Sequence, residues 1–313
     1  MCARAGDVSL AGAVGRLPSP LVETVDDRLA ARGVRLLLKR DDLIHPDIPG
    51  NKWRKLGPNL ARARQLGQHT VLTFGGAYSN HVRALAAAGS LLGLRTVGVI
   101  RGEEHRPLNP VLRFAADAGM RLTYLDRASY RAVRAGTGAA VLAGLTAEFG
   151  PFHLLPEGGS NTLGVRGCAG LPAELDQDFD VLCCSCGTGG TLAGLAAGLA
   201  PGRRALGVTV LRGAAFLDAD VARLQQAAFG VNSGNWTLTH DFHAGGYART
   251  TPELTRFLAD FHDRHGLALD AVYEGKLLHG LFSLVAAGAF APGETLVAVV
   301  NALADGPPAR VAG

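Results

Sequence analysis

The sequence predicts an α/β protein built from parallel sheets with helices on both faces. Short apolar runs alternate with stretches of helical periodicity, and glycine-containing turns join them. The 313 residues include 42 glycines, 48% are hydrophobic and only 19% are charged, which is typical of packed domains with tight strand-to-helix turns. Such sheets bind ligands at the carboxyl ends of their strands, so we expect a site at the turns that follow the strands.

The first part of the chain leads to a pair of lysines. We predict a short helix near 25–32 and a buried strand at 35–39. A turn at 45–50 that contains proline and glycine then leads into a helix from about 53 to 67. Lys52 therefore stands at a loop-to-helix junction.

Strand and helix alternate regularly from residue 70 onward. The predicted strands are 70–74, 96–100, 121–125, 153–155, 181–184, 205–210 and 295–300. The predicted helices are 80–92, 108–118, 128–149, 162–175, 214–229, 251–265 and 275–287. One more helix is predicted to follow the glycine turn at 187–190 and to end at about residue 199. No linker interrupts this alternation, although two domains are plausible at this length.

Composition argues against several classes of function. The net charge of +4 is mild and the arginines are scattered, so no nucleic-acid partner is expected. No run reaches the roughly 18 apolar residues of a membrane span, and the first 17 residues do not resemble a signal peptide, so we expect a soluble cytoplasmic protein. The five cysteines are odd in number, and the cluster at 183–186 lacks a second ligand pair at zinc spacing, so no metal site is predicted.

Lysine usage singles out segment 50–56 (GNKWRKL). The chain has only four lysines among its 31 basic residues, and two of them, Lys52 and Lys55, lie in this segment. Lysine can lose its proton and attack a carbonyl carbon to form an imine, which a guanidinium cannot do. The alternative is that both are solvated residues of a helix's first turn.

Two strand-to-helix turns carry further polar groups. In segment 73–81 (TFGGAYSNH), Ser79, Asn80 and His81 offer a hydroxyl, an amide and an imidazole, although Ser79 or Asn80 could simply cap the helix. Segment 186–191 (CGTGGT) joins glycine N–H groups to a helix start, which suits a single phosphate. It lacks the lysine of a P-loop and the spacing of a dinucleotide fingerprint, so a nucleotide-dependent oxidoreductase is a weaker hypothesis.

A lysine that can form an imine, a phosphate-binding turn and a polar turn together match the needs of pyridoxal 5'-phosphate. Segments 39–43, 50–56, 75–83, 245–249 and 269–276 resemble, in this order, the family of 1-aminocyclopropane-1-carboxylate deaminases and D-cysteine desulfhydrases. The resemblance extends over about residues 15 to 300 and implies a tryptophan synthase β-like fold. It implies a large domain of residues 1–52 and 158–313, a small domain of 53–157 inserted in it, and the cofactor in the cleft between them.

The resemblance also assigns the cofactor ligands. Lys52 would form the Schiff base and move the proton at the substrate's α-carbon, Asn80 would hold the ring's phenolic oxygen, and Lys55 would contact the phosphate together with the glycine turn. The residues of that turn are Gly187, Thr188, Gly189, Gly190 and Thr191. Glu274 would lie near the pyridine nitrogen and keep it protonated, which makes the ring a strong electron sink. A helix N-terminal acid is the alternative for Glu274.

The substrate side would be formed by polar and aromatic residues. Ser79, Asn80 and His81 would bind the substrate carboxylate or relay protons, and Tyr247 and Tyr273 would line the pocket. Each tyrosine could instead be a packing aromatic. Structural ion pairs are the expectation for the remaining lysines, Lys39 and Lys276.

Two departures from the family pattern leave the activity open. Tyr78 replaces a usual glutamine, and segment 301–306 (NALADG) replaces a common His-Thr-Gly-Gly. The main hypothesis is a lyase or deaminase with one of two substrates: 1-aminocyclopropane-1-carboxylate, giving 2-oxobutanoate and ammonia, or D-cysteine, giving pyruvate, sulfide and ammonia. The alternative is a non-catalytic carrier or regulator that binds the cofactor. A homodimer is the family expectation.

Overall fold

The computed structural model describes residue 10 and residues 15–304, and these form two compact units. Unit 1 contains residues 52–164 together with residues 10 and 15, and unit 2 contains 16–51 and 165–304. The domain division predicted from the sequence, with an insertion over 53–157, stays a prediction. The strands are β1 (Leu21–Glu23), β2 (Arg35–Arg40), β3 (Thr70–Gly75), β4 (Arg95–Arg101), β5 (Arg121–Leu125), β6 (His153–Leu155), β7 (Val181–Cys186), β8 (Arg204–Thr209), β9 (Trp236–Thr239) and β10 (Thr295–Val300).

The helices alternate with these strands, as the periodicity predicted. They are α1 (Asp27–Ala30), α2 (Asn51–Gln65), α3 (Asn80–Leu92), α4 (Pro110–Asp117), α5 (Arg127–Arg134), α6 (Ala139–Phe149), α7 (Thr162–Cys168), α8 (Gly190–Ala197), α9 (Phe216–Phe229), α10 (Pro252–His265) and α11 (Glu274–Ala286). No helix of the described chain is both long enough and apolar enough to cross a membrane.

Unit 1 contains a four-stranded parallel sheet in the order β5-β4-β3-β6. All six residues of β3 are buried, as expected of a central strand covered on both faces. The core beside this sheet includes Leu72, Phe74 and Val99, and Tyr130 packs edge-on against Phe74. The carboxyl end of β3 leads directly into the 75–79 turn and helix α3.

Unit 2 contains a six-stranded sheet in the order β1-β2-β10-β7-β8-β9. Its strands pair in parallel except β1, which pairs antiparallel with β2. Strands β7 and β10 are buried along their whole length, and a hydrophobic cluster lies on each face of the sheet. The α/β fold with parallel sheets predicted from the sequence is confirmed.

Several element boundaries differ from the prediction for local reasons. The single helix predicted over 128–149 is two helices, because the chain turns at Gly136, which has a φ of 77°. The helix predicted over 162–175 ends at Cys168 and is followed by a short 3-10 turn at Leu171–Glu174. Strands β1 and β9 were not predicted, since both are short edge strands without a continuous apolar run.

Candidate active site

The turn after β3 presents the predicted polar side chains of unit 1 at the start of α3. Ser79 is the N-cap of α3, and its Oγ accepts a hydrogen bond from the Val82 amide at 3.3 Å. The capping alternative is therefore correct for Ser79, which also leaves its hydroxyl proton available to a second partner. Tyr78 and Asn80 on either side of it are exposed.

His81 follows them and is 3% exposed. Its Nε2 lies 2.9 Å from Thr73 Oγ1, and the Thr73 hydroxyl donates its single proton to the Leu155 carbonyl at 2.8 Å. Thr73 must therefore accept from His81, which assigns the proton to Nε2 and leaves Nδ1 as an acceptor. Nδ1 is buried without a hydrogen-bond partner among the described residues. Burial, together with the charges of Lys52 and Lys55, lowers the pKa of His81 well below its usual range, so the ring is neutral.

Lys52 and Lys55 lie three residues apart in the first turn of α2, so they share a face of this helix. Lys55 is 2% exposed, and its Nζ donates to the Gly158 carbonyl at 3.3 Å and to Ser160 Oγ at 3.1 Å. The ammonium group of Lys55 thus contacts the 158–160 turn of its own unit. The prediction that it contacts phosphate remains a prediction.

The glycine turn of unit 2 joins β7 to α8. Gly189 is the N-cap of α8 with a φ of 74°, and it provides no side-chain cap for the helix. A Cβ at this position would lie 2.7 Å from Val221 Cγ2, so both the backbone conformation and the space require glycine. At the end of the turn, Thr191 Oγ1 accepts from Asn51 Nδ2 at 2.8 Å. Asn51 is the residue immediately before Lys52 in the chain.

Glu274 begins α11 and is 1% exposed. Asp270 caps this helix start by accepting from the main-chain amides of 272, 273 and 274. Burial raises the pKa of Glu274 well above its usual range, and the charge of Asp270 adds to this shift, whereas N–H groups of Asn301 oppose it. A carboxyl buried this deeply is not a surface helix-end acid, and its burial requires a hydrogen-bonding partner.

Asn301 is that partner, although its departure from the family pattern suggested a disrupted pocket. The main-chain N and the Nδ2 of Asn301 donate to Glu274 Oε1 at 2.7 and 2.9 Å. Further along, Leu303 forms a β-bridge with Leu269, and the Ala304 amide donates to the Ala268 carbonyl. Residues 305 and 306 lie outside the described residues. The described part of the segment is therefore well integrated into unit 2.

Tyr273 lies beside the glycine turn, and Tyr247 packs against Tyr273. The rings of Tyr247 and Tyr273 pack edge-to-face with centroids 6.0 Å apart. A Cβ on Gly187 would lie 3.5 Å from the Tyr273 hydroxyl, so this hydroxyl is directly against the turn. Burial raises the pKa of Tyr273, and the neighbouring Tyr247 adds to the shift.

The two remaining lysines are buried and structural. Lys39 forms an ion pair with Glu174 at 3.0 Å, as predicted. Lys276 instead donates to the Gly246 carbonyl at 2.7 Å, and burial lowers its pKa to about 8. This hydrogen bond anchors the loop that carries Tyr247.

These residues fit pyridoxal phosphate. A glycine-capped helix start has main-chain N–H groups suited to a phosphate dianion. A buried carboxyl suits a protonated pyridine nitrogen, and an amine at the start of α2 suits an aldehyde. Sequence reasoning missed four supporting residues: Asn51, Thr73, Asn301 and Ser185, whose Oγ lies 3.4 Å from Glu274 Oε2. Asn51, Thr73 and Asn301 lie in the segments 50–56, 73–81 and 301–306 that the sequence had marked for other residues, whereas Ser185 gave no signal.

Comparisons with known proteins agree with this chemistry. Residues 14–302 match the family of pyridoxal-phosphate dependent enzymes. D-cysteine desulfhydrase of Klebsiella pneumoniae is 31% identical over 290 residues, which cover 84% of this chain and 85% of the relative. A mitochondrial bifunctional D-cysteine desulfhydrase/1-aminocyclopropane-1-carboxylate deaminase of Arabidopsis thaliana is 30% identical over 272 residues, covering 80% of this chain and 67% of the relative.

A solved structure supports the same assignment. The crystal structure of an ACC deaminase homologue matches with a TM-score of 0.81 and 28% identity, covering 92% of this chain and 90% of that one. The region matched by the family includes both sheets and both glycine turns described above. The chain therefore belongs to the family of pyridoxal-phosphate dependent enzymes, and its cofactor is pyridoxal phosphate.

Proposed function

We propose that this enzyme releases ammonia from a small amino acid, either 1-aminocyclopropane-1-carboxylate or D-cysteine. Both substrates occur in the names of its relatives, and the Arabidopsis relative is named for both activities. The observation that carries the proposal is the buried carboxyl of Glu274, held by Asn301 at the start of α11. A non-catalytic carrier, which the altered segment 301–306 suggested, has less support, because Asn301 of this segment binds the Glu274 carboxyl.

Bound pyridoxal phosphate supplies an aldehyde that condenses with amines and a ring that accepts the electron pair of a bond broken at the α-carbon. The carboxyl of Glu274 holds the ring nitrogen in its protonated form, which strengthens this electron withdrawal. We assign the phosphate to the main-chain N–H groups and hydroxyls of 187–191, with Lys55 as an additional cation. Asn80 binds the phenolic oxygen of the ring.

Lys52 would hold the cofactor through its amine and would take or return the proton at the substrate's α-carbon. Its position is supported by Asn51, whose side chain contacts Thr191 in the glycine turn. Lys52 is the next residue along the same helix.

The substrate is assigned to residues of both turns. Ser79 and Asn80 at the start of α3 bind the carboxylate, and the lone pair of His81 Nδ1 accepts a hydrogen bond. Tyr247 and Tyr273 contact the leaving side of the substrate, where a hydroxyl with a raised pKa remains a proton donor. His81 favours D-cysteine and Glu274 favours 1-aminocyclopropane-1-carboxylate, so the substrate panel decides between the two.

The test combines cofactor spectroscopy with a substrate panel. We expect the purified enzyme to show visible absorption from bound cofactor that borohydride reduction removes, and to release 2-oxo acid and ammonia from one of the two substrates. Lys52→Ala and Lys52→Arg should both lose this absorption and at least about 10³-fold of the activity, because arginine keeps the charge but forms no imine. Absorption and turnover that survive in both variants would contradict the proposal.

We also propose that the enzyme acts in the cytoplasm as a homodimer. Cys183, Cys184 and Cys186 carry buried thiols, which suits a reducing compartment. Sedimentation equilibrium of the holoenzyme should give twice the chain mass of 32.5 kDa. A single-chain mass at micromolar concentration would contradict the dimer.

A further inference from the structure

Asn301 occupies a more central position in unit 2 than its place after the last strand suggests. Its Oδ1 accepts from the main-chain N of Asn51 at 2.8 Å. A main-chain N–H can only donate, so this contact fixes which end of the Asn301 amide is oxygen. Nδ2 must then be the atom that faces Glu274, and it donates to Oε1 at 2.9 Å.

The two oxygens of Glu274 consequently differ. Oε1 accepts from two N–H groups of Asn301, at 2.7 and 2.9 Å, and neither group can accept a proton in return. Any proton on this carboxyl therefore belongs to Oε2. Oε2 has Ser185 Oγ as a neighbour at 3.4 Å, which is a longer and weaker contact, and the Asp270 carboxyl also lies close to the Glu274 carboxyl and raises its pKa.

Packing holds Asn301 in this position independently of its hydrogen bonds. Gly50 has a φ of 63°, and a Cβ there would lie 2.5 Å from the Cα, Cβ and carbonyl oxygen of Asn301. The backbone of segment 50–51 thus lies directly against Asn301. A continuous series of contacts runs from Glu274 through Asn301 and Asn51 to Thr191 in the glycine turn.

We propose that Asn301 is a positioning residue that fixes Oε1 of Glu274 and so leaves Oε2 to share a proton with the ring nitrogen of pyridoxal phosphate. Through Asn51, which is the residue before Lys52, it also links this carboxyl to the glycine turn. The assignment rests on the proposed function, because it gives Glu274 the ring nitrogen as its partner. This role of Asn301 explains how the chain can depart from the family sequence after β10 and still hold the Glu274 carboxyl in a fixed position.

The test is a double-mutant cycle between Asn301→Asp and Glu274→Gln. Aspartate has nearly the same shape and still accepts from the Asn51 amide, but it places an acceptor oxygen against Glu274 Oε1. We expect Asn301→Asp to weaken pyridoxal phosphate binding by more than about tenfold, and to shift the pH dependence of the bound cofactor's absorption. On the Glu274→Gln background, where the amide can donate to the new oxygen, the loss should fall below about threefold.

Asn235→Asp is the matched control, because Asn235 Nδ2 donates to the Ala196 carbonyl in unit 2. It should bind the cofactor as the wild type does. If Asn301→Asp does not fold, Asn301→Ala removes the same amide and retains the main-chain contact; its loss should be smaller and equally dependent on Glu274.

The outcomes separate this assignment from the proposed function. Equal losses for Asn301→Asp in the wild-type and Glu274→Gln backgrounds, or no loss in the wild-type background, would overturn the positioning role while the enzyme remains intact. A wild-type protein that shows no cofactor absorption dependent on Lys52 would overturn the proposed function, and this assignment with it.

Discussion

The two glycine turns of this enzyme present opposite kinds of chemistry. The turn after β3 in unit 1 carries Ser79, Asn80 and His81, and the hydroxyl of Ser79 caps helix α3. The turn after β7 in unit 2 has Gly189 at the corresponding capping position, without a side chain. Unit 1 therefore presents side chains at its helix start, and unit 2 presents main-chain N–H groups.

This difference determines what each turn tolerates. A turn that acts through side chains depends on the residues that orient them, here Thr73 beneath His81. A turn that acts through its backbone depends on the absence of side chains, here at Gly189. The two turns share a strand–turn–helix arrangement, but different residues in them are intolerant of substitution. Substitutions can therefore distinguish a turn that acts through side chains from one that acts through its backbone.

The largest effect is expected from alanine at Gly189 in the turn after β7. Gly189→Ala should lower the free energy of unfolding by about 2–4 kcal/mol, because it combines a positive φ with a 2.7 Å contact to Val221. Gly76→Ala is the matched control in the other turn, since its nearest atom would be Arg101 Nη2 at 3.7 Å, and it should change stability by at most about 0.5 kcal/mol.

Denaturant titration of both variants measures these changes in stability. Pyridoxal phosphate binding shows whether the turn after β7 still binds the cofactor. Similar losses for Gly76→Ala and Gly189→Ala would contradict the distinction between the turns.

A smaller effect is expected beneath the side-chain turn. Thr73→Val removes the group that accepts from His81 Nε2 and donates to Leu155, so we expect a loss of about 1–3 kcal/mol. Thr70→Val is a control on the same strand, because Thr70 Oγ1 is buried without a partner among the described residues; it should be neutral or stabilising. Nitrogen NMR of the imidazole should show the Nε2–H form in the wild type and its loss in Thr73→Val.

The smallest expected effect is a loss of stability at mildly acidic pH that is caused by His81. Burial lowers the pKa of His81 in the folded protein, so below about pH 6.5 the unfolded chain binds a proton there that the folded protein does not, and stability falls as the pH falls. This residue should contribute less than about 1 kcal/mol of loss between about pH 7.5 and pH 6. His81→Gln should show a shallower decline than the wild type, whereas exposed His105→Gln should not. If stability declined equally with pH in the wild type and both variants, His81 would bind its proton in the folded protein as it does in the unfolded chain, which would contradict the lowered pKa.

Most of the fold could be predicted from local patterns. Buried strands such as β3 and β7 are mostly apolar runs, and the glycine turns follow them directly. The missed strands β1 and β9 lie at the sheet's edges, where one neighbour and partial exposure leave little hydrophobic signal. The break at Gly136 was missed because helical periodicity continues on both sides of it.

Site residues could be predicted from the sequence where the residue type itself indicates a chemical role. They could not be predicted where the role depends only on contacts in the folded protein. Lysine scarcity indicated Lys52, and glycine clusters indicated the two turns. Asn301 has no such signal, because its role depends on Glu274, Asn51 and Gly50, which are distant from it in the sequence. Its departure from the family pattern suggested damage to the pocket, whereas the contacts show a hydrogen-bonding role.

The loop that carries Tyr247 has a consequence for protein engineering. Ala244 and Ala248 adopt φ values of 50° and 53°, which cost an L-residue roughly 1 kcal/mol each, and Lys276 holds the loop between them at Gly246. A selection for heat resistance alone would therefore favour glycine at 244 and 248. Such variants would relieve strain but hold Tyr247 less firmly, so thermostable versions of this enzyme should be screened for turnover at every round.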